Sequence, residues 1–182
     1  MVPAFLQKEV IMLERLPIED FDKVYQLMEE SFPADEYRPI SGQRALFDNS
    51  AYTIYALYHD NRDIKAFIAV WEFDTLVYVE HFAVNPAYRN GGLGSQILSS
   101  LQKLYRKPVC IEVEPPETDM AKRRIGFYER NGFFFNDYPY MQPAMAPDRN
   151  PIPLSIMTSN HAVNEEEFLQ IKNLLYREVY HQ

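Results

Sequence analysis

At 182 residues, with 47% apolar and 24% charged positions, the chain has the size and make-up of one globular domain with a sizeable core. A net charge of −8 and the lack of any long basic run argue against nucleic acid or an anionic membrane as partner, and favour a cationic or amine ligand. The single cysteine, Cys110, excludes an intrachain disulfide and fits a reducing, cytoplasmic setting; the opening "MVPAFLQKEV" lacks the basic-then-apolar pattern of a signal peptide, and no apolar run approaches the about 20 residues of a membrane span.

In chain order, "VIMLERL" (10–16) reads as a first strand. "PIEDFDKVYQLMEESF" reads as a helix, with Pro17 in its first turn, Glu19, Asp20 and Asp22 at its positive end, and Phe21, Val24, Tyr25, Leu27 and Met28 on one face. The two prolines of "SFPADEYRPI" predict a loop, and "SGQRALFDN" a short helix. "YTIYALYH" (52–59) and "IKAFIAVWEF" (64–73), joined by the polar "DNRD", predict an antiparallel hairpin. "LVYVEHFAV" (76–84) is apolar on both alternating faces, the pattern of a strand covered on both sides.

Leu93, Ile97, Leu98, Leu101 and Leu104 then recur at helical spacing, followed by a strand at "PVCIEVE" (108–114). "TDMAKRRIGFYERNG" predicts a helix closed by Asn131-Gly132, where glycine supplies the left-handed end. "FFFNDY" is a strand, "MQPAMAPDRNPIP" a proline-rich loop and "LSIMTS" (154–159) a last strand. In the tail, Asn164 and Glu167 have the spacing of a capping box, ahead of a helix (164–180) striped with Phe168, Ile171, Leu174 and Leu175. That stripe fits packing on its own domain or on a second subunit, so monomer and homodimer both remain open. The order of elements predicts a mixed α/β fold, one central sheet flanked by helices over the whole of 1–182.

Three of the six glycines fall in "AVNPAYRNGGLGSQIL" (83–98), between an apolar strand and a helix. The first N–H groups of a helix lack internal partners and carry partial positive charge, and glycines let an anion approach them. The nucleoside-triphosphate loop is excluded because no Lys follows the last glycine. A dinucleotide site fits Gly92-x-Gly94 but has Ile97 at the third glycine position, although Glu112 stands where a ribose-binding acid would. On these residues alone, a phosphate site and a tight strand–helix turn are both open.

Two motifs together resemble the GNAT N-acetyltransferase superfamily. Arg89-x-x-Gly92-x-Gly94, after the strand "YVEHFAV", resembles its acetyl-CoA signature, and "GFYERNGF" (126–133), about 35 residues on, resembles its Phe/Leu-Tyr-Glu-x-x-Gly-Phe segment. The resemblance covers about 10–158, leaving the C-terminal helix as an addition. It implies a mixed sheet with a splayed strand pair and direct transfer of an acetyl group from acetyl-CoA to an amine. It implies no metal. The turn Arg89, Asn90, Gly91, Gly92, Leu93, Gly94 and Ser95 would hold the CoA pyrophosphate. Phe82, Ala83 and Val84 would run beside the pantetheine arm, where their strand and "PVCIEVE" part.

Such a reaction needs a base for the amine and an acid for the leaving thiolate. Tyr128 matches the tyrosine of the second motif and is the acid candidate; its spacing with Ala121 and Ile125 also fits a core position. Glu80 interrupts an apolar strand and is the base candidate, acting directly or through a water, with burial expected to raise its pKa; a salt-bridged structural acid is the alternative. Alternation sends its neighbour His81 to the opposite face. Glu112 and Glu114 share one face of the next strand and are its rivals. The family's pantetheine-binding Asn is replaced by Ala121, and Arg124 stands at a usually small position; Arg123 and Arg124 read as solvated. "PADEYRP", with Asp35, Glu36 and Tyr37, would wall the acceptor site and with Glu80, Glu112 and Glu114 make an acidic cleft, the late proline-rich loop forming a second wall. Small-molecule or peptide amine acetylation is the expected activity. Protein α-amine or lysine acetylation, a non-catalytic acyl-CoA sensor and a dinucleotide-dependent oxidoreductase are the alternatives.

Overall fold

The computed structural model of the protein describes residues 11–182. The elements are β1 (Glu14–Arg15), α1 (Phe21–Ser31), α2 (Ile40–Ala45), β2 (Tyr52–Tyr58), β3 (Ile64–Glu72), β4 (Val77–Val84), α3 (Leu93–Tyr105), β5 (Val109–Val113), α4 (Asp119–Arg130), β6 (Phe133–Gln142), β7 (Ile152–Ser159) and α5 (Glu165–Glu178). Among the described residues the strands form one mixed sheet in the order β1-β2-β3-β4-β5-β7-β6. Only β4 and β5 pair in parallel, because α3 crosses over between them; the other pairs are antiparallel.

The apolar residues that alternate along the strands feed two cores. On one face Phe21, Val24 and Met28 of α1 and Phe168, Ile171 and Leu175 of α5 bury Trp71, Tyr78 and Cys110. On the other, Ile97, Leu98 and Leu101 of α3 and Ile125 and Tyr128 of α4 bury Ile68, Val79 and Ile111. The stripe of α5 therefore packs on its own domain. Its predicted capping box is formed: Glu167 N–H donates to the Asn164 side chain and Asn164 N–H donates to Glu167, each at 2.9 Å. Gly132, just beyond α4, has φ 83, the left-handed end expected of it.

Three boundaries differ from expectation. Position 10 of the first predicted strand lies outside the described residues, and only Glu14 and Arg15 of the rest pair with β2. β6 runs on to Gln142 rather than stopping at Tyr138. Its register with β7 shifts between Asn136 and Tyr140, a bulge that accommodates Pro139, which has no N–H to give the ladder. β7 starts at Ile152, two residues inside the predicted loop, because it pairs with that extension.

A second irregularity positions the site. Against β3, Ala69 pairs with His81 and Val70 with Val79, so Glu80 is an extra residue in β4. Such a bulge breaks the alternation of side chains. His81 consequently does not point away from Glu80: its Nδ1 lies 3.4 Å from Glu80 Oε2, and its ring packs edge-on against Phe32 at 5.1 Å.

Candidate active site

β4 and β5 pair only from Val77–Val109 to Val79–Ile111, then part, although β4 continues to Val84 and β5 to Val113. The gap is the inner end of a cleft of about 530 Å³, within the usual range for a small-molecule site. Phe82, Ala83 and Val84 form one side of it, and Arg89, Asn90, Gly92, Leu93, Gly94 and Ser95 form its outer end. Of the turn residues singled out from the sequence, Gly91 alone does not line it.

The turn is built to leave backbone bare. Asn90 (φ 67) and Gly92 (φ 77) are both left-handed, which swings the chain into α3 with Gly92 as its N-cap. Gln96 N–H bonds back to the Gly92 carbonyl at 3.2 Å, so the N–H groups ahead of it are those a helix leaves without an internal partner. A side chain at Gly91 or Gly92 would meet nothing within 4 Å, whereas a Cβ at Gly94 would stand 3.0 Å from Phe127 Cζ. Gly92 thus leaves the turn open to the cleft, and Gly94 lets α3 sit against α4. Arg89 Nε donates to the Val84 carbonyl at 2.9 Å, tying the turn to the end of β4. Arg124 and Arg130 also line the cleft. Bare helix-end amides beside three guanidinium groups fit a polyanionic group such as the diphosphate of CoA.

Tyr128 also lines the cleft and is buried with Ala121 and Ile125 on the inner face of α4. Among the described residues no protein group hydrogen-bonds its hydroxyl. Burial pushes the phenol up, against the pull of Arg124, so the group stays protonated and able to donate.

Four carboxylates reach the cleft: Glu36, Glu80, Glu112 and Glu114. They differ in partners. Glu80 receives Arg38 Nη1 at 2.7 Å, with both side chains nearly or fully buried. Burial is the largest single influence and would raise its carboxyl, but the Arg38 guanidinium and His81 together outweigh it and hold the group at about 2. The expectation that Glu80 is poised as a base by a raised pKa is therefore reversed. Among the described residues its Oε2 and His81 Nδ1 have no hydrogen-bond partner, while His81 Nε2 donates to the Glu36 carbonyl at 2.8 Å.

Among the described residues Glu112 meets no cation. Tyr78 donates to it at 2.8 Å, Tyr180 at 2.8 and 2.9 Å to its two oxygens, and Tyr140 to Oε1. Burial raises it to about 7 even though the three phenols favour the charged form. Glu114 pairs with Arg124 at 3.0 Å, so Arg124 is an ion-pair partner on the cleft wall rather than a solvated cation. Burial raises Glu36, and the charge of Glu114 raises it further.

Asp35 and Tyr37 stay out of the cleft and join its walls instead. Asn150 N–H donates to the Asp35 carboxylate at 2.8 Å, Gln142 Nε2 to the Asp35 carbonyl at 3.2 Å, and Arg149 Nε to the Tyr37 carbonyl at 3.3 Å. The loop of 33–39 and the late loop are thereby stapled together beside Glu36 and Gln142, which line the cleft.

Residues 50–133 match the family model described as "Acetyltransferase (GNAT) domain". A solved structure of a GNAT-family protein from Bacteroides thetaiotaomicron is 34% identical, covers 93% of this chain and 98% of its own, and superposes with a TM-score of 0.84. The chain belongs to the GNAT acetyltransferase family. YjbC of Bacillus subtilis (strain 168), named a putative acetyltransferase, is 25% identical over 86% of this chain and 80% of its own. A point mutant of the spermidine N-acetyltransferase SpeG from Vibrio cholerae shares the fold at a TM-score of 0.59 over 82% of this chain and 94% of its own, with 13% identity.

Against the GNAT pattern, the departure at Ala121 is a packing position, 2% exposed, and brings no polar group to the cleft. Arg38, Tyr78, Tyr140, Tyr180 and Gln142 escaped the reading of the sequence. A signal existed for the first: a carboxylate in an apolar strand demands a buried cation. No helix among the described residues is long and apolar enough to cross a membrane.

Proposed function

We propose that the protein transfers the acetyl group of acetyl-CoA to a primary amine of a small, cationic acceptor. The observation that carries this reading is the parting of β4 and β5 beyond Val79 and Ile111. It makes one continuous cleft lined by the bare glycine turn, Tyr128 and Glu112. The amides of Gly92, Leu93, Gly94 and Ser95 hold the pyrophosphate, and Phe82 to Val84 offer their main chain to the pantetheine arm.

The base is Glu112 rather than Glu80. A carboxylate held at about 2 has little affinity for an ammonium proton, whereas one near 7 matches the operating pH. Glu80 instead neutralises Arg38 and fixes the bulge. The ammonium passes its proton to Glu112 and its nitrogen attacks the thioester carbonyl. The C–N bond forms, the C–S bond breaks, and the Tyr128 hydroxyl protonates the departing thiolate. Tyr128 then regains the proton that the acylated nitrogen gives up, and Glu112 releases the ammonium's proton to solvent. The stapled loops favour a small acceptor over a folded protein surface, and Glu36 and Glu112 favour a positively charged one.

Thiol release from acetyl-CoA across polyamines, aminoglycosides, amino acids and peptides tests this, with turnover expected from small polycationic amines. Release with none of them would leave an acyl-CoA sensor. With an active acceptor, kcat/KM of the native enzyme is expected to fall below pH about 7. Glu112→Gln should remove that limb and lower turnover by about 10²–10⁴-fold. A limb that survives the substitution would clear Glu112 of the role.

A further inference from the structure

The chain does not end with α5. Val179 and Tyr180 turn back into the fold and are 2% and 8% exposed. His181 takes a left-handed backbone (φ 57), and Gln182 N–H donates to the Tyr176 carbonyl at 2.9 Å. Apolar packing alone would dock such a turn, and Val179 supplies it. A buried tyrosine adds a hydroxyl that must find a partner. Here that partner is Glu112, with both carboxyl oxygens within 2.9 Å of one hydroxyl. The Val179 carbonyl accepts from Arg38 Nη2 at 3.2 Å, and this is the same guanidinium that pairs with Glu80. One cation therefore anchors both the β4 bulge and the tail.

We propose that Tyr180, in the turn that follows α5, is a positioning residue for acetyl transfer: its hydroxyl spans the two oxygens of Glu112, fixes the plane of the carboxylate and holds it open to the acceptor's proton. The inference rests on Glu112 being the base. Tyr78 on β4 and Tyr140 on β6 hold the carboxylate from two other sides, with Tyr78 and Tyr180 hydroxyls 3.1 Å apart. Among the described residues, the other charged and titratable groups around it are Glu80 on β4, Cys110 on its own strand, Tyr176 on α5, and Arg38 beyond Glu80. Glu80 opposes a charge on Glu112; the phenols support it. Each phenol lost removes support for the charged form and leaves the burial in place.

The test reads Glu112 itself, without turnover, by following isotope-labelled glutamate carboxyl carbons through a pH titration by NMR, with the Glu112 signal assigned by its loss in Glu112→Gln. In Tyr180→Phe the titration midpoint is expected to rise from about 7 by about one pH unit, the size of one hydrogen bond to a charged group. A tyrosine role confined to packing leaves the midpoint where it is, and an unmoved midpoint in a variant that unfolds with the native protein overturns the proposal. Fluorotyrosine placed at position 180 keeps the packing and strengthens the donor, so there the midpoint must fall; a static midpoint is equally fatal. Failure of the base reading is seen separately, as a pH–rate limb that outlives Glu112→Gln while the Tyr180 shifts persist.

Discussion

The two ends of the cleft solve different problems with different material. At the outer end a contiguous stretch, Arg89 to Ser95, presents main-chain amides, and open space surrounds Gly91 and Gly92. At the inner end the groups come from far apart in the chain: Arg38 and Glu80 are separated by 42 residues, Glu112 and Tyr180 by 68, Arg38 and Val179 by 141. A backbone turn can grip an anion wherever strand meets helix, so this function is portable and local. Proton transfer needs a carboxyl with an unusual affinity for its proton, and that requires burial, which only the assembled fold supplies. Adjacent strands make the point. Glu80 and Glu112 both sit in the interior, yet a guanidinium holds one at about 2 and burial among phenols brings the other to about 7.

The largest effect is expected where fold and site share a residue. Arg38→Met keeps the volume and removes the cation, leaving Glu80 buried without its partner. Denaturant unfolding at neutral pH should show a loss of about 3–5 kcal/mol. The pH dependence carries the sign. In the native protein the folded pKa of Glu80 lies below its ordinary 4.5. Its stabilisation is complete above that value and is lost as pH falls toward about 2. In the variant the carboxyl, still buried, rises instead of falling, so acid relieves the strain and the gap to the native protein narrows. A variant as stable as the native protein at neutral pH would show that the inner end does not hold the fold together.

The outer end should break differently, chiefly in binding. Gly92→Glu places a side chain on a backbone of φ 77, which L residues adopt at a cost of about 1–3 kcal/mol, and sets a carboxylate where a diphosphate would lie. Losing two charge-assisted hydrogen bonds of about 1.5–3 kcal/mol each lowers acetyl-CoA affinity by at least about a hundredfold. Calorimetric titration measures it, and native affinity would reduce the turn to a strand–helix connection.

The same contrast governs what could be read from the sequence. The glycine turn, the hairpin, the left-handed Gly132 and the Asn164–Glu167 box are each set by residues within a few positions of one another, so their physics is visible in a short window. The partner of Glu80 is not. An acid in an apolar strand announces that a cation is needed, but the chain holds 18 Lys and Arg, and only the loop after α1 brings Arg38 to it. The orientation of His81 depends on how β4 registers against β3, a property of two strands rather than one. Glu112 looked like one of several rivals because the phenols that distinguish it come from β4, β6 and the end of the chain.

Tyr128 stands between the two ends and should show the smallest effect. Its placement came from a local motif, as at the outer end, while its chemistry depends on burial, as at the inner one. The hydroxyl has no protein partner among the described residues, so Tyr128→Phe leaves no group unsatisfied, and unfolding stability should stay within about 0.5 kcal/mol of native. Acetyl-CoA affinity should hold as well, because the turn amides are untouched. Turnover should fall by about a hundredfold, the lower bound for a positioned acid, with the fall confined to kcat. Thiols that leave readily need less help from an acid, so an acetyl thioester of a more acidic thiol should recover much of the lost rate. A loss of stability without a loss of kcat would return this phenol to the core, and the chemistry would then belong wholly to the inner end.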